Sequence, residues 1–171
     1  MKTRYLTSIL LLFLVITSGY SQDSEKKSKE ERKLEKQKQT EELVNSKTFL
    51  FIGSTAYPES GRPITISSGP NTVNFSPEMI KSNLPFFGQV KTASAGYGTQ
   101  TGYTFEGKPE EYTIESSKKG YKLKAIVIQG NETYTLNMSL GDDGNGNLNV
   151  YSINRSSMRY NGEIRKPEES K

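Results

Sequence analysis

Between Glu110 and Ile164 apolar and polar residues alternate through five successive runs, "EEYTIESS", "GYKLKAIVIQ", "ETYTLNMSL", "GNLNVYSIN" and "SMRYNGEI". A period of two is the period of a β-strand. In the third run Tyr134, Leu136, Met138 and Leu140 share one side, with Thr133, Thr135, Asn137 and Ser139 opposite. Such a strand buries one face and wets the other. The breakers "KKG", "GN", "GDDGNG" and "RSS" separate the runs. Gly130-Asn131 has the composition of a two-residue hairpin turn. Short connections make neighbours antiparallel. A long meander has to curl to bury its apolar face and protect its edges. The predicted fold is therefore all-β: an antiparallel meander forming a curved half-barrel or a lipocalin-like barrel, preceded by an N-terminal helical segment.

The first half of the domain is read the same way. "TFLFIGSTAYP" is rich in strand formers and ends at Pro58. "RPITIS" alternates through Ile64 and Ile66, and "NTVNFS" through Val73 and Phe75. "GYTFEG" is a further short strand. "SPEMIKSN" is expected to form one or two helical turns, with Ser76 as N-cap, Pro77 at the first helical position and Glu78 in the first turn.

Ahead of this domain stand two segments of different composition. Lys2 and Arg4 precede the apolar run "ILLLFLVI" from Ile9 to Ile16, and Gly19 and Ser21 supply small residues. That layout is an export signal, with cleavage expected after Ser21. The apolar run falls short of the roughly 20 residues of a membrane span. Residues 23–42 carry seven acidic and seven basic side chains, with Glu25–Lys29 at helical spacing. Only Leu34 interrupts the polarity before Leu43 and Val44. The expected organisation is a signal peptide over 1–21, a charged helical or disordered tether over 22–42, one β domain over 43–165 and a disordered tail over 166–171. The expected location is beyond the membrane, periplasmic or secreted, with no stable membrane anchor after signal cleavage. Losing Lys2 and Arg4 lowers the formal charge from +4 to +2. So small a balance gives no argument for nucleic acid.

The composition closes several chemistries. There is no histidine and no cysteine. A Ser–His–Asp triad, a His- or Cys-ligated zinc and a thiol nucleophile are all excluded. Glu110 and Glu111 are neighbours and fall on opposite faces of a strand, so they are no glycosidase pair. No catalytic residue, metal ligand or cofactor is expected, and the chain is read as non-enzymatic. "GDDGNGN" places Asp143, Asn145 and Asn147 at alternate positions. It departs from a calcium loop at Leu148, where glycine is required, and is read as a hairpin turn. Gly96, Gly98 and Gly102 approach a dinucleotide fingerprint, but a strand follows rather than a helix. The segment is left as an aromatic–glycine loop that either packs over a barrel end or rims its mouth. Phe86, Phe87, Tyr97 and Tyr103 are the candidate ligand-binding residues at that rim, able to stack on a sugar or an apolar ligand. Arg155 and Arg159 are read as solubilising charges, with anion binding as the alternative.

"LPFFGQV" at Leu84–Val90, "GYTFEG" at Gly102–Gly107 and "NRSSMRYNGEI" at Asn154–Ile164 together carry a resemblance. The chain resembles the secreted family from Bacteroidota catalogued as domain of unknown function 4251, over roughly residues 40–165. The likeness extends to the signal, the charged segment and Gly61-Arg62 before the next strand. Many members of that family resemble lipoproteins with a cysteine at the signal's end, and this chain has none. The resemblance implies location and domain limits, and no activity. Two functions are carried forward. One is an envelope protein holding a small apolar or sugar-like ligand in a concave β face, which predicts an aromatic-lined cavity. The other is a protein-interaction or structural module of the envelope, with a protein partner met through the charged arm and edge strands.

Overall fold

The computed structural model describes residues 28–66, 69, 71–91 and 102–167. The chain divides into two compact units between Lys38 and Gln39. Residues 28–46 are helical and form α1. In the first unit, residues 29–36 of α1 are all exposed, as their charged composition dictates.

The second unit begins with the last turns of α1. Thr40 and Val44, four residues apart on one helical face, are buried, and Leu43 is half-buried. Lys47 ends the helix with φ of 55° and donates its amide to the Val44 carbonyl at 3.0 Å. The Ser46 hydroxyl donates to the Leu43 carbonyl at 2.7 Å, satisfying another late carbonyl.

Among the described residues ten strands follow: β1 Phe49–Pro58, β2 Ile64–Thr65, β3 Thr72–Phe75, β4 Ile80–Pro85, β5 Gly102–Gly107, β6 Pro109–Ser117, β7 Gly120–Gln129, β8 Glu132–Leu140, β9 Asn145–Ser152 and β10 Arg155–Arg165. Every pairing is antiparallel. The spatial order is β5-β4-β3-β1-β10-β9-β8-β7-β6, with β2 paired to β1 off that path. β5 and β6 thus lie at opposite ends of the sheet, yet only Lys108 separates them in the chain. Laid flat, nine strands would hold those edges about 38 Å apart. One residue spans about 3.5 Å. The sheet must therefore roll up, and it forms a nearly closed barrel.

Alternation dictates what fills it. β8 buries Tyr134, Leu136, Met138 and Leu140, as the sequence pattern requires. β1 buries Phe49, Phe51 and Gly53, then Ala56. A bulge between Gly53 and Thr55 resets the phase, so that Ala56 and not Thr55 turns inward. Tyr103, Tyr160, Phe49, Phe51, Phe75 and Leu136 are among the large side chains sealed completely. Each such burial stabilises the fold by roughly 1.5–3 kcal/mol.

One sequence expectation is overturned. "SPEMIKSN" forms no helical turns. The Ser76 hydroxyl accepts the Met79 amide at 3.0 Å and donates to the Met79 carbonyl at 2.9 Å, closing a tight turn from which β4 starts at Ile80. A serine that can cap a helix can equally close a turn. Ile80, Ser82 and Leu84 then alternate inward, and burial decides for the strand. In the "GDDGNGN" segment Gly141–Gly144 form the turn and Asn145–Asn147 already belong to β9, with the Asp143 carboxylate drawn back onto the Asn145 amides at 3.1 and 2.6 Å.

Candidate functional site

The landmark "LPFFGQV" lies where β4 ends. Pro85 pairs with Gly102, and Phe86–Lys91 then leave the ladder to cross the start of β10. Three backbone and hydroxyl hydrogen bonds tie this strap down. The Ser156 amide donates to the Gln89 carbonyl at 2.9 Å, and the Ser156 hydroxyl accepts the Gln89 amide at 2.9 Å. The Lys91 amide donates to the Asn154 carbonyl at 2.8 Å, and Val90 bridges to Arg155. Gly88 makes the close approach possible: a Cβ there would collide with the Ser156 hydroxyl and lie 2.8 Å from the Phe86 ring.

Beneath the strap, aromatic rings surround a shielded ion pair. Phe86 meets Tyr103 edge to face at 5.1 Å, and Tyr103 meets Tyr134 at 6.2 Å. Phe105 stacks on Tyr134 at 4.0 Å. The Arg155 guanidinium lies 5.5 Å from the Phe86 ring centre and 5.8 Å from that of Tyr103. It donates to the Gly102 carbonyl at 2.8 Å and pairs with Glu132 at 3.4 Å. Glu132 also accepts the Tyr134 hydroxyl at 2.9 Å and the Ser152 hydroxyl. The Tyr103 hydroxyl donates to the Ser156 carbonyl and that of Tyr160 to the Pro85 carbonyl, both at 2.7 Å.

Burial raises all three phenols. Tyr103 and Tyr160 go well above the ordinary range, with the positive charge of Arg155 opposing the shift in part. Tyr134 is pushed up to about 12, first by burial, then by its bond to Glu132. A raised folded-state value keeps its stabilisation intact below pH 10, where free tyrosine begins to ionise, and loses it as pH climbs toward that value. Ionisation of these phenols is expected to coincide with loss of structure between pH 10 and 12. Ultraviolet titration of the phenols followed beside circular dichroism checks this. Early ionisation with the fold intact would show that the rings are open to water.

Outside the strap the chemistry changes. Phe87 is 43% exposed. It stands over a depression of about 490 Å³ with Glu59, Ser60, Gln89 and Lys91 among its lining residues. Glu59 also accepts the Ser157 amide at 3.3 Å. Phe87 thus shares this depression with residues that carry hydrogen-bond donors and acceptors.

The four rim candidates therefore separate. Phe87 faces the depression. Phe86 is half-buried and turns toward Arg155. Tyr103 is no rim residue: it is fully buried, because β5 alternates and points Tyr103 and Phe105 into the barrel. Tyr97 lies outside the described residues. Arg155 is likewise no simple solubilising charge, its side chain being only 13% exposed. Arg159 is exposed and stacks on Tyr57 at 4.4 Å. Sequence reasoning missed Glu132, which follows a hairpin turn and there resembles any surface carboxylate. It missed Glu59 and Gln89 too, which no local pattern marks.

A nearly closed antiparallel barrel with a filled interior and a strapped end defines the structural class. The family model for domain of unknown function 4251 (DUF4251) matches residues 31–164, and the chain belongs to that family. The crystal structure of a DUF4251 family protein from Bacteroides eggerthii DSM 20697 is similar in fold, with a TM-score of 0.61 at 14% identity. The match covers 77% of this chain and 87% of that one. No curated protein matches.

Proposed function

We propose that the protein is an exported, non-enzymatic component of the cell envelope, periplasmic or secreted, that holds a small sugar-like ligand against Phe87. The carrying observation is the exposed Phe87 ring, fixed on a braced strap beside the carboxylate, amide, hydroxyl and ammonium of Glu59, Gln89, Ser60 and Lys91. Sugars present apolar ring faces edged by hydroxyls, and an aromatic surface with a polar rim complements both. The ligand moves from the concave interior to the barrel end because side chains occupy the interior. A binding role agrees with the shielded carboxylate: Glu132 is engaged by Arg155, Tyr134 and Ser152 at once. The signal-like segment from Lys2 to Ser21 carries the export reading.

A second reading, a protein-interaction module, is favoured by the exposed, charged residues 29–36 of α1. One experiment separates the two. Native mass spectra of the protein purified gently from its own envelope are expected to show a small bound mass, absent from Phe87→Ala. A co-purified protein chain with no small adduct would favour the second reading instead. A bare chain in both spectra would defeat the first.

A further inference from the structure

The outer face of β8, β9, β10 and β1 has an unusual composition. Asparagine is a poor strand former, yet Asn137, Asn145, Asn147, Asn149 and Asn161 all lie there. The register aligns them in cross-strand rows. Ser139, Asn147 and Asn161 form one, and Asn137, Asn149 and Arg159 the next. A sheet face kept only for solubility would more economically carry alternating charges, as β6 and β7 do with Glu111 and Lys124 at 2.9 Å.

The amides of Asn147 and Asn161 are held in place. Asn147 donates to the Asn161 side-chain oxygen at 2.8 Å, and Asn161 donates to the Tyr57 hydroxyl at 3.2 Å. The Ser54 hydroxyl, on the same face, donates to the main-chain carbonyl of Asn161 at 3.2 Å, which steadies the strand rather than the amide. Each amide has two N–H groups and two lone pairs, so these bonds orient it and leave capacity over. Behind them, Gly53, Gly162 and Gly146 pair in one row. A Cβ on Gly162 would strike the Ile52 carbonyl oxygen, so only glycine lets β1 and β10 come this close. The face there sinks into a depression of about 550 Å³ lined by Ser54, Ser139, Asn145, Asn147 and Asn161, among others. Tyr57, under the Arg159 guanidinium, and the 46% exposed Tyr151 stand on the same face.

The geometry points to this face as a binding site for a neutral glycan chain, separate from the Phe87 depression. A sugar hydroxyl both donates and accepts, and so does an asparagine amide. An ionic ligand would need a concentrated charge excess, whereas Glu163 on this stretch is paired with Arg165 and the Arg159 guanidinium lies over the Tyr57 ring. The floor is mixed, with Ile52 and the Gly146 and Gly162 backbone among polar side chains, which suits a sugar's alternation of C–H faces and hydroxyls better than a wholly apolar ligand. The rows continue across four strands, which suits an extended chain better than a single ring.

The test is a proton–nitrogen NMR titration of the full chain with two neutral probes, chitohexaose and cellohexaose. Saturable shifts of the side-chain amides of Asn145, Asn147 and Asn161 are expected with at least one probe. In Asn147→Ala/Asn161→Ala the affinity is expected to fall at least tenfold, and Lys81→Ala, exposed on β4 away from this face, is expected to leave it unchanged. The map on the native protein stands even if the double variant folds poorly. No shifts of these amides from either hexasaccharide at 10 mM, whether or not Phe87 responds, or equal binding of an acidic hexauronate would each overturn the assignment.

Discussion

Truncating Tyr103 to alanine is expected to lower the unfolding free energy by about 4 kcal/mol, the middle of the range for emptying a large aromatic site. The ring is sealed from water and packs against Phe86, Tyr134 and the Arg155 guanidinium. Its removal would open a void beneath the strap and loosen Arg155 as well. Tyr103→Phe keeps the ring and deletes the hydroxyl that serves the Ser156 carbonyl, and about 1 kcal/mol is expected from that. Phe87→Ala, on the wet side of the same strap, should stay within about 0.5 kcal/mol of the native protein. Urea denaturation of the three variants measures all of this. A loss below 1 kcal/mol for Tyr103→Ala would mean that the ring is not part of the core.

Glu132→Ala is expected to cost about 3 kcal/mol. The side chains of Glu132 and Arg155 are 19% and 13% exposed. Removing one member of a shielded pair leaves the other charged and poorly solvated. Here the Tyr134 and Ser152 hydroxyls would lose their acceptor too. The double variant Glu132→Met/Arg155→Met should recover much of that loss, because it replaces both charges with side chains that pack. The cycle of single and double variants reads the coupling directly. Additive losses would show that the two residues act apart, and the strapped end would then owe its stability to its rings alone.

The strands were legible because burial on one face imposes a period of two, and the runs from Glu110 to Ile164 keep it almost without interruption. Leu50, by contrast, is buried on the opposite side from Phe49 and Phe51, and no alternation foretells that. Ser76-Pro77-Glu78 misled because a helix cap and a tight turn use the same side-chain chemistry; only the inward Ile80, Ser82 and Leu84 settle the matter. The site was half legible. Phe86-Phe87-Gly88 drew notice by composition, and the strap indeed lies there. The assignment of Tyr103 to the rim failed on a fact of register, since its side follows from its pairing with Leu84 on β4. The Arg155–Glu132 pair joins residues 23 positions apart across three strands, and the outer amide rows emerge only when β8, β9 and β10 are set side by side.

The single residue between β5 and β6 has a further meaning for topology. β1 and β10 lie side by side in the middle of the strand order, with Leu50 opposite Arg165. If the chain were cut at Lys108 and Arg165 joined to Phe49, the strands would run β6, β7, β8, β9, β10, β1, β3, β4, β5, which is their order in space, β2 apart. The natural chain is thus a circular permutation of a simple up-and-down barrel. Its most distant pairing in sequence, Leu50 with Arg165, is the one made where its two halves meet. Non-local pairings are slow to form. The hairpins from β6 to β10 can assemble locally, while β1 must find β10 across the whole domain before the barrel can close.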